Sequence, residues 1–232
     1  MNSGSQKIIN ALDKSNLKQA KIEILCKIKN IEFEVKNKDI MGNLMQSWLE
    51  VFLTENKINW KPKGSQEYPD FVLDNDEYLE LKCYFKDASP AFDIANFKSL
   101  ITDLIINPKR LDSDYLIFSY GFDTTKGITI DNYWCKKIWE ITKIPTSRRK
   151  SHTYNLISAQ VKRSTIYNLR PFNFSTKPDD CLPNRLSFIH QLKKTIDAFS
   201  SQLITPDTKF KDGDDWFAMV SKKYKEQTKK EL

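Results

Sequence analysis

Apolar residues with a helical period mark the first well-defined element of this sequence. From Gly42 onward they recur at steps of one, three and four positions, while Gln46 and Glu50 fall on a separate stripe. The apolar set is Leu44, Met45, Trp48, Leu49, Phe52 and Leu53. This pattern predicts an amphipathic helix that buries one face.

Two apolar segments with a polar segment between them come next. Residues 71–73 and 78–85 are rich in aromatic and aliphatic side chains, and residues 74–77 are Asp, Asn, Asp and Glu. Two such segments joined by a polar turn are typical of a β-hairpin. We therefore predict that they pair with each other.

The rest of the chain alternates between helical and strand-like patterns. Helices are predicted over residues 17–31, 96–107, 134–142, 186–203 and 216–229, and strands over residues 115–120, 127–130, 156–161 and 166–169. In the first helical segment Leu17, Ala20, Ile24, Ile28 and Ile31 recur at three- and four-residue steps. The order predicts an α/β or α+β core with helices on both sides. We expect a single domain over residues 1–232, with a helical N-terminal extension at 1–41 and a helical C-terminal part at 186–232.

The composition narrows the class of protein. The chain has 232 residues, of which 40% are hydrophobic and 29% charged, as in globular proteins. Its formal net charge of +7 favours polyanionic partners such as nucleic acid or anionic lipid. No apolar run approaches the ~18 residues of a membrane span, and the first residues lack a signal-peptide pattern, so we expect a soluble cytoplasmic protein.

Cysteine and histidine usage excludes several kinds of site. The four cysteines are scattered without a Cys-x-x-Cys pair, which argues against a zinc ribbon or a redox motif. Only His152 and His190 are present, which excludes a His-rich metal cluster. If the protein is an enzyme, we expect carboxylates and lysines to carry its chemistry.

The predicted hairpin contains such residues. Asp70 lies at the start of its first strand, and Glu80 and Lys82 lie two positions apart on the second. Side chains alternate along a strand, so Glu80 and Lys82 share a face that we expect to be displayed, while Leu81 faces the packed side. Opposed side chains in a hairpin lie about 5 Å apart, so Asp70 and Glu80 are expected to bind a hard cation such as Mg²⁺, with the Leu81 carbonyl as a further ligand. This pairing requires an odd-numbered loop or a bulge.

Lys82 is expected beside this site, where it orients or deprotonates an attacking water and offsets the charge of a pentavalent phosphate. Glu50 on the preceding helix is a candidate for a further carboxylate, with Gln46 as the alternative. A purely structural reading remains, because Glu-x-Lys is common on solvated strands and Pro178 and Asp179 repeat the Pro-Asp pair without such a strand. The combination of helix, Asp, polar turn and Glu-x-Lys strand favours phosphodiester hydrolysis.

Pro69, Asp70, Glu80 and Lys82 match the motif of the PD-(D/E)xK nucleases, and the sequence resembles that superfamily. The surrounding segments resemble the type II restriction endonucleases of the NgoBV and NlaIV group. These segments are residues 65–71, 92–97, 110–118, 138–142 and 166–171. The resemblance covers roughly residues 42–174.

The resemblance implies a restriction-endonuclease-like core, in which a mixed central β-sheet is flanked by α-helices. It also implies Mg²⁺-dependent cleavage of both DNA strands at a short palindromic site, which is GGNNCC in that group. Transferred by motif position, Asp70 and Glu80 become metal ligands and Lys82 the catalytic lysine. A cognate DNA methyltransferase is expected to act on the same site.

The palindrome leads to two further expectations. Symmetric cleavage is most simply achieved by a two-fold dimer, so we expect a homodimer. Guanines are typically read by Arg or Lys in the major groove, and the DNA-binding candidates are Arg148, Arg149, Lys162, Arg163 and Arg170. For each of them a loose phosphate contact or solvated charge is the alternative. Asn96, close to Asp93, is either a helix cap or a residue that holds DNA or the metal shell.

Two other functions stay open on the sequence. A nuclease of the same fold that selects branched DNA by shape is expected to ignore the sequence of linear DNA. A non-catalytic nucleic-acid-binding protein is expected to bind in a salt-sensitive way that needs no metal.

Overall fold

The computed structural model describes residues 1–23, 25–28, 31–34, 40–62, 68–123, 127–148 and 151–232. Strands and helices are mixed along the chain, which confirms the predicted α/β class. The helices are α1 (Ser3–Lys14), α2 (Met41–Glu55), α3 (Phe97–Ile106), α4 (Arg185–Ala198), α5 (Ser200–Leu203) and α6 (Gly213–Thr228). The strands are β1 (Lys21–Ile22), β2 (Leu25–Ile28), β3 (Ile31–Glu34), β4 (Trp60–Pro62), β5 (Phe71–Leu73), β6 (Glu77–Phe85), β7 (Ala95–Asn96), β8 (Asp114–Asp123), β9 (Gly127–Lys137), β10 (Ala159–Lys162) and β11 (Thr165–Leu169).

The chain folds into two compact units. The first comprises Met1–Pro90 and Ser113–Lys136, and the second comprises Ala91–Asp112 and Lys137–Leu232. The chain therefore passes from one unit to the other three times. The single domain expected over residues 1–232 stays a prediction.

A six-stranded sheet in the order β1-β9-β8-β6-β5-β4 forms the first unit. Strand β6 is interior to it, antiparallel to β5 and parallel to β8, so the sheet is mixed as expected. Helix α2 packs against β6 and confirms the predicted amphipathic helix. Its buried residues are Met41, Met45, Leu49, Phe52 and Leu53. Burying one such large side chain stabilises the fold by about 1.5–3 kcal/mol.

Helix α1 is fastened to the start of β6 through Glu77. The two carboxylate oxygens of Glu77 accept hydrogen bonds from the backbone of Ser3 and from Gly4 N at 2.7 Å. They satisfy backbone N–H groups that the first turn of a helix leaves unpaired, and α1 has no side-chain cap of its own. A Cβ at Gly4 would lie 2.9 Å from Glu77 Oε2, so only glycine permits this approach. Ile8 and Leu12 of α1 are buried in the core of the unit.

A smaller sheet and three longer helices form the second unit. The sheet has the order β10-β11-β7, and α6 packs against α3 and α4. Trp216 of α6 is fully buried and donates a hydrogen bond from Nε1 to the carbonyl of Ile101 in α3 at 2.9 Å. The longest described helix, α6, has 16 residues, and no described helix is long and apolar enough to cross a membrane.

The helix predicted over residues 17–31 is wrong. The helix of this region is Ser3–Lys14, and strands β1, β2 and β3 follow it. Lys21 pairs with Thr129 of β9, and β2 pairs with β3. Short apolar segments are compatible with both the helical period of about 3.6 residues and the strand period of two. Here pairing with other strands outweighs the helical spacing. Ile24 lies outside the described residues.

The helix predicted over residues 134–142 is also wrong. Strand β9 continues through Lys137, and only a short 3₁₀ turn, Ile138–Ile141, follows it. Pairing of β9 within the large sheet fixes this segment as a strand. The strand predicted over residues 127–130 extends to Lys137, and the helix predicted over residues 186–203 is divided into α4 and α5. The other predicted helices and strands are present, with their ends moved by at most three residues.

Candidate active site

The β5–β6 hairpin satisfies the register condition set by the sequence. Its turn, Asp74–Asp76, has three residues, and Leu73 pairs with Glu77 on either side of it. The pairing continues to Phe71 opposite Leu79. One step further along the same register, Asp70 faces Glu80. The odd-numbered turn thus places both carboxylates on one side of the hairpin.

Direct contacts tie the three predicted catalytic residues together. Asp70 Oδ2 accepts a hydrogen bond from the backbone N–H of Leu81 at 2.7 Å. Glu80 Oε1 accepts one from Lys82 Nζ, also at 2.7 Å, and this contact is an ion pair. The structure therefore brings Asp70, Glu80 and Lys82 together around one stretch of β6.

The charged face of β6 is buried, which differs from our expectation that it is displayed. Glu80 is 7% exposed, and the Lys82 side chain is 20% exposed. The reason is that β6 is an interior strand whose neighbour β8 places Tyr115 beside Glu80, while Tyr84 further along the same face stacks on Trp134. The site is consequently shielded from water, which strengthens every electrostatic interaction in it.

Burial perturbs the acid–base properties of the cluster. Desolvation, with a smaller contribution from the Glu80 carboxylate, raises the pKa of Asp70 from 3.8 to about 6, although the Leu81 N–H and Lys82 act in the opposite direction. For Lys82, burial alone would lower the pKa, but the charge and hydrogen bond of Glu80 outweigh it and raise the pKa above its ordinary value. Lys82 is therefore a cation that donates hydrogen bonds, so the structure favours its charge-offsetting role over deprotonation of water.

The donor set fits a hard divalent cation. Glu80 Oε2 is buried and has no hydrogen-bond partner among the described residues, and the ionised Asp70 carboxylate is disfavoured beside Glu80. A cation between the two carboxylates removes both penalties. The N–H and C=O of one strand residue point the same way, so the Leu81 carbonyl faces the side on which Asp70 lies. The neighbouring Cys83 is no ligand candidate, because burial raises the pKa of its thiol to about 12.

Glu50 is not part of this cluster. No group of three or more Asp, Glu, His or Cys side chains that could hold a metal occurs in the described part of the chain. Glu50 instead lines a surface hollow on α2 together with Glu55 and Trp60. Gln46, the alternative, is partly buried on the same helix. The carboxylates that the structure places together are those of Asp70 and Glu80.

The described residues among the expected DNA-binding candidates all belong to the second unit. Arg148, Lys162 and Arg163 are exposed, whereas Arg149 lies outside the described residues. Arg170 forms an ion pair with Asp93 at 2.9 Å and donates a hydrogen bond to the carbonyl of Ala91.

Asn96 caps helix α3, and its contact with DNA stays a prediction. Its Oδ1 accepts a hydrogen bond from Ser99 N at 3.0 Å at the start of α3. Its Nδ2 donates to Asn168 Oδ1 across the β7–β11 pair at 3.4 Å. Both ends of the amide are therefore used within the second unit.

Some neighbours of the cluster gave no signal in the sequence. Glu77, which holds α1, lies three positions before Glu80 on the same strand. Asp114 is fully buried at the start of β8, where its Oδ2 accepts a hydrogen bond from Asn2 N at 2.7 Å. These contacts join residues more than 70 positions apart, so no local pattern reveals them.

Comparison with known proteins gives consistent matches. The model of the NgoBV restriction endonuclease family matches residues 2–232. The chain is 36% identical over 165 residues to the type II restriction enzyme NlaIV of Neisseria lactamica, a match that covers 69% of this chain and 65%, just under two thirds, of that enzyme. It is 33% identical over 139 residues to the type II restriction enzyme NgoBV of Neisseria gonorrhoeae, covering 57% of this chain and 78% of that enzyme. The solved structure of the NlaIV restriction endonuclease superposes with a TM-score of 0.83 at 27% identity, covering 98% of this chain and 91% of that one.

Proposed function

The chain belongs to the NgoBV restriction endonuclease family, and from this premise we propose that it is a type II restriction endonuclease. It hydrolyses phosphodiester bonds of double-stranded DNA at a short palindromic site, GGNNCC, in a Mg²⁺-dependent reaction. The observation that carries the proposal is the convergence of Asp70, Glu80 and Lys82 on one face of β6. The likeness to two enzymes named as type II restriction enzymes supports it.

Each residue of the cluster has a separate task in this proposal. Asp70 and Glu80 hold the cation, with the Leu81 carbonyl as a further oxygen donor. The cation, when bound, polarises the phosphate and lowers the pKa of water. Lys82 holds a positive charge where negative charge develops on the phosphate, and its own raised pKa keeps it protonated at neutral pH. The burial of the cluster excludes bulk water from these groups.

The symmetry of the palindromic target implies an oligomeric state for the active enzyme. Two copies related by a two-fold axis present one cluster to each strand, so we assign the active form as a homodimer. A DNA methyltransferase specific for the same site protects the DNA of the cell, and both enzymes act in the cytoplasm. Arg148, Arg149, Lys162, Arg163 and Arg170 contact DNA in this scheme.

Plasmid cleavage tests the proposal directly. Purified protein is incubated with a plasmid that carries GGNNCC at known positions, with Mg²⁺ or with EDTA. We expect discrete fragments with Mg²⁺ only, whose ends map to GGNNCC. Asp70→Ala is expected to abolish cleavage and retain DNA binding, because it removes a cation ligand. The matched control is Asp74→Ala, which removes a carboxylate from the turn of the same hairpin, where Asp74 pairs only loosely with Lys7 at 3.6 Å.

The other outcomes separate the competing functions. Fragments that map to another sequence retain the enzyme and refute the site. Cleavage of branched DNA with indifference to linear plasmid supports a structure-selective nuclease. Absence of cleavage with every divalent cation tried, combined with salt-sensitive DNA binding that Glu80→Gln leaves unchanged, supports a non-catalytic binding protein and refutes the proposal.

A further inference from the structure

The positive charge of the chain is concentrated in one stretch. Residues 141–178 contain eight Lys and Arg and no Asp or Glu, so this stretch carries +8 while the whole chain carries +7. The remaining residues together carry −1. Attraction of a polyanion by this protein is therefore a property of one segment. That segment lies within the second unit and contains β10 and β11.

The β10–β11 hairpin presents part of this charge at a tight turn. Lys162 pairs with Thr165, which leaves Arg163 and Ser164 as a two-residue loop. Both have positive φ, 48° and 65°, as a type I′ turn requires. Asn and Gly are the residues favoured there, and a bulky side chain such as Arg is a costly choice. Arg163 therefore stands at this turn for a reason other than backbone preference.

A glutamine from a neighbouring helix holds the turn in place. Gln202 of α5 accepts a hydrogen bond from Ile166 N at 3.1 Å and donates one to the carbonyl of Ser164. Strand β7 pairs with Asn168 and Leu169, at the end of β11 away from the turn, so it does not support these backbone groups. The amide of Gln202 thus fixes the position of the hairpin tip relative to the unit that supports it. Such support is what a preorganised binding element needs.

Exposed tyrosines lie beneath the cations of this surface. Lys162 Nζ lies 5.5 Å from the ring centre of Tyr167, and the guanidinium of Arg148 lies 5.1 Å from that of Tyr154. Tyr167 is 41% exposed and Tyr154 is 39% exposed, so neither ring packs in a core. Basic groups interleaved with exposed aromatic rings are typical of nucleic-acid-binding surfaces. The surface therefore combines charge with flat rings and a projecting tip.

From these observations we propose that the β10–β11 hairpin is the DNA-reading element of the protein, an inference that rests on the proposed function. Its tip enters the major groove, which is wide enough for two β-strands, and Arg163 contacts the base edges there. Lys162 and Tyr167 contact the backbone beside the groove. Gln202 is a positioning residue that acts through the turn and touches no DNA.

The decisive variant replaces the turn by the sequence that its backbone prefers. Arg163→Asn with Ser164→Gly retains or improves the fold of the hairpin, because Asn-Gly is the favoured type I′ pair. We expect the variant to bind a fluorescent duplex containing GGNNCC about 10- to 100-fold more weakly than the wild type in EDTA, and a scrambled duplex only about threefold more weakly. Thermal unfolding checks that stability is unchanged or increased. Unchanged affinity for both duplexes overturns the inference.

Two companion variants sharpen the result. Lys222→Ala removes one exposed charge from α6 and is the matched control, with affinity expected within about twofold of the wild type. Gln202→Ala leaves Arg163 in place but releases the tip, so we expect loss of discrimination between the two duplexes with the salt dependence of binding unchanged. Loss of stability in Gln202→Ala without loss of discrimination contradicts the positioning role.

Failure of this inference is distinct from failure of the proposed function. Binding is measured without divalent cation, and cleavage of plasmid by the wild type is measured separately. If the wild type never cleaves but the turn variant loses DNA affinity, the enzyme proposal falls and the hairpin inference stands. If the wild type cleaves at GGNNCC and the turn variant cleaves and binds equally well, the reverse holds.

Discussion

Two β-hairpins of this chain share an architecture and differ in almost every physical property. The β5–β6 hairpin turns through three residues, Asp74–Asp76, and its second strand lies inside a six-stranded sheet. The β10–β11 hairpin turns through Arg163 and Ser164 and belongs to a three-stranded sheet. The first buries Glu80 and most of the Lys82 side chain, and the second leaves Lys162 and Arg163 in water.

The difference agrees with the role that we propose for each hairpin. Burial in the first raises the pKa of Asp70 to about 6, and Glu80 Oε2 has no hydrogen-bond partner in the part of the chain that the structure describes. Both effects destabilise the metal-free fold there and favour binding of a cation. The second hairpin pays no desolvation cost, since Lys162 and Arg163 are exposed. A polyanion is attracted from a distance by solvated charge, whereas phosphate chemistry requires charge held in a low dielectric. The following changes test this contrast, from the largest expected effect to the smallest.

Glu80→Gln is expected to give the largest loss. The amide cannot accept at both of its terminal atoms and carries no charge for a cation, so about 4 kcal/mol of transition-state stabilisation is lost and cleavage slows about 10³-fold. Single-turnover cleavage of a GGNNCC duplex measures the rate. DNA affinity in EDTA is expected to stay within twofold, and a parallel loss of affinity would contradict the separation of the two hairpins.

Lys82→Met is expected to slow cleavage about 100-fold with little change in KM, because it removes a charge that acts on the transition state. Lys82→Arg retains the charge with a different shape and is expected to lose only about tenfold. Steady-state kinetics at saturating DNA distinguish the two variants. Equal losses in both would show that the shape of the side chain matters more than its charge.

Asp70→Asn is expected to stabilise the metal-free protein by about 3 kcal/mol at pH 8. The pKa of Asp70 is higher in the folded chain, at about 6, than its ordinary value of 3.8, so ionised Asp70 opposes folding. The gain is constant above about pH 6 and declines below it, because wild-type Asp70 then becomes protonated in the fold. It vanishes near pH 4, where Asp70 of the unfolded chain becomes protonated as well. Urea unfolding in EDTA across this range measures it. A gain that grows as the pH falls contradicts the direction of the pKa shift.

Lys162→Ala is expected to weaken DNA binding about fivefold and to reduce the slope of log affinity against log salt by about 1, as for one phosphate contact. The kcat at saturating DNA is expected to stay unchanged, in contrast to the variants of the buried cluster. Fluorescence titrations at several salt concentrations provide the slope. A normal slope with a reduced kcat would assign Lys162 to the chemistry and remove the contrast.

Glu77→Gln is expected to have the smallest effect, a loss of about 0.5–1 kcal/mol of unfolding free energy, because an uncharged amide interacts more weakly with the N-terminus of α1. The control is Glu55→Gln, which is exposed at the end of α2 and is expected to change nothing. Cleavage by Glu77→Gln at low temperature is expected to match the wild type. A large loss of cleavage there would mean that α1 sets the geometry of the cluster.

Sequence patterns were sufficient for the features that are local in the chain. The alternation of side chains, the odd-numbered turn and the Glu-x-Lys spacing predict the pairing of β5 with β6 and the approach of Asp70 to Glu80. The burial of Glu80 was not predictable in this way, because it depends on β8, which pairs in parallel with β6 from more than 30 residues further along the chain. Strand β1 was missed for the same reason, since its partner residues in β9 lie more than 100 positions further along the chain.

The three crossings of the chain between its two units set a practical limit on engineering. They fall between Pro90 and Ala91, Asp112 and Ser113, and Lys136 and Lys137. Neither unit is a continuous stretch of sequence, so a gene cut at one point yields neither of them intact. Transplanting the second unit from a homologue, in order to change the DNA sequence that is recognised, would require three simultaneous splices. Point substitutions within the existing second unit are the simpler way to change the DNA sequence that the protein recognises.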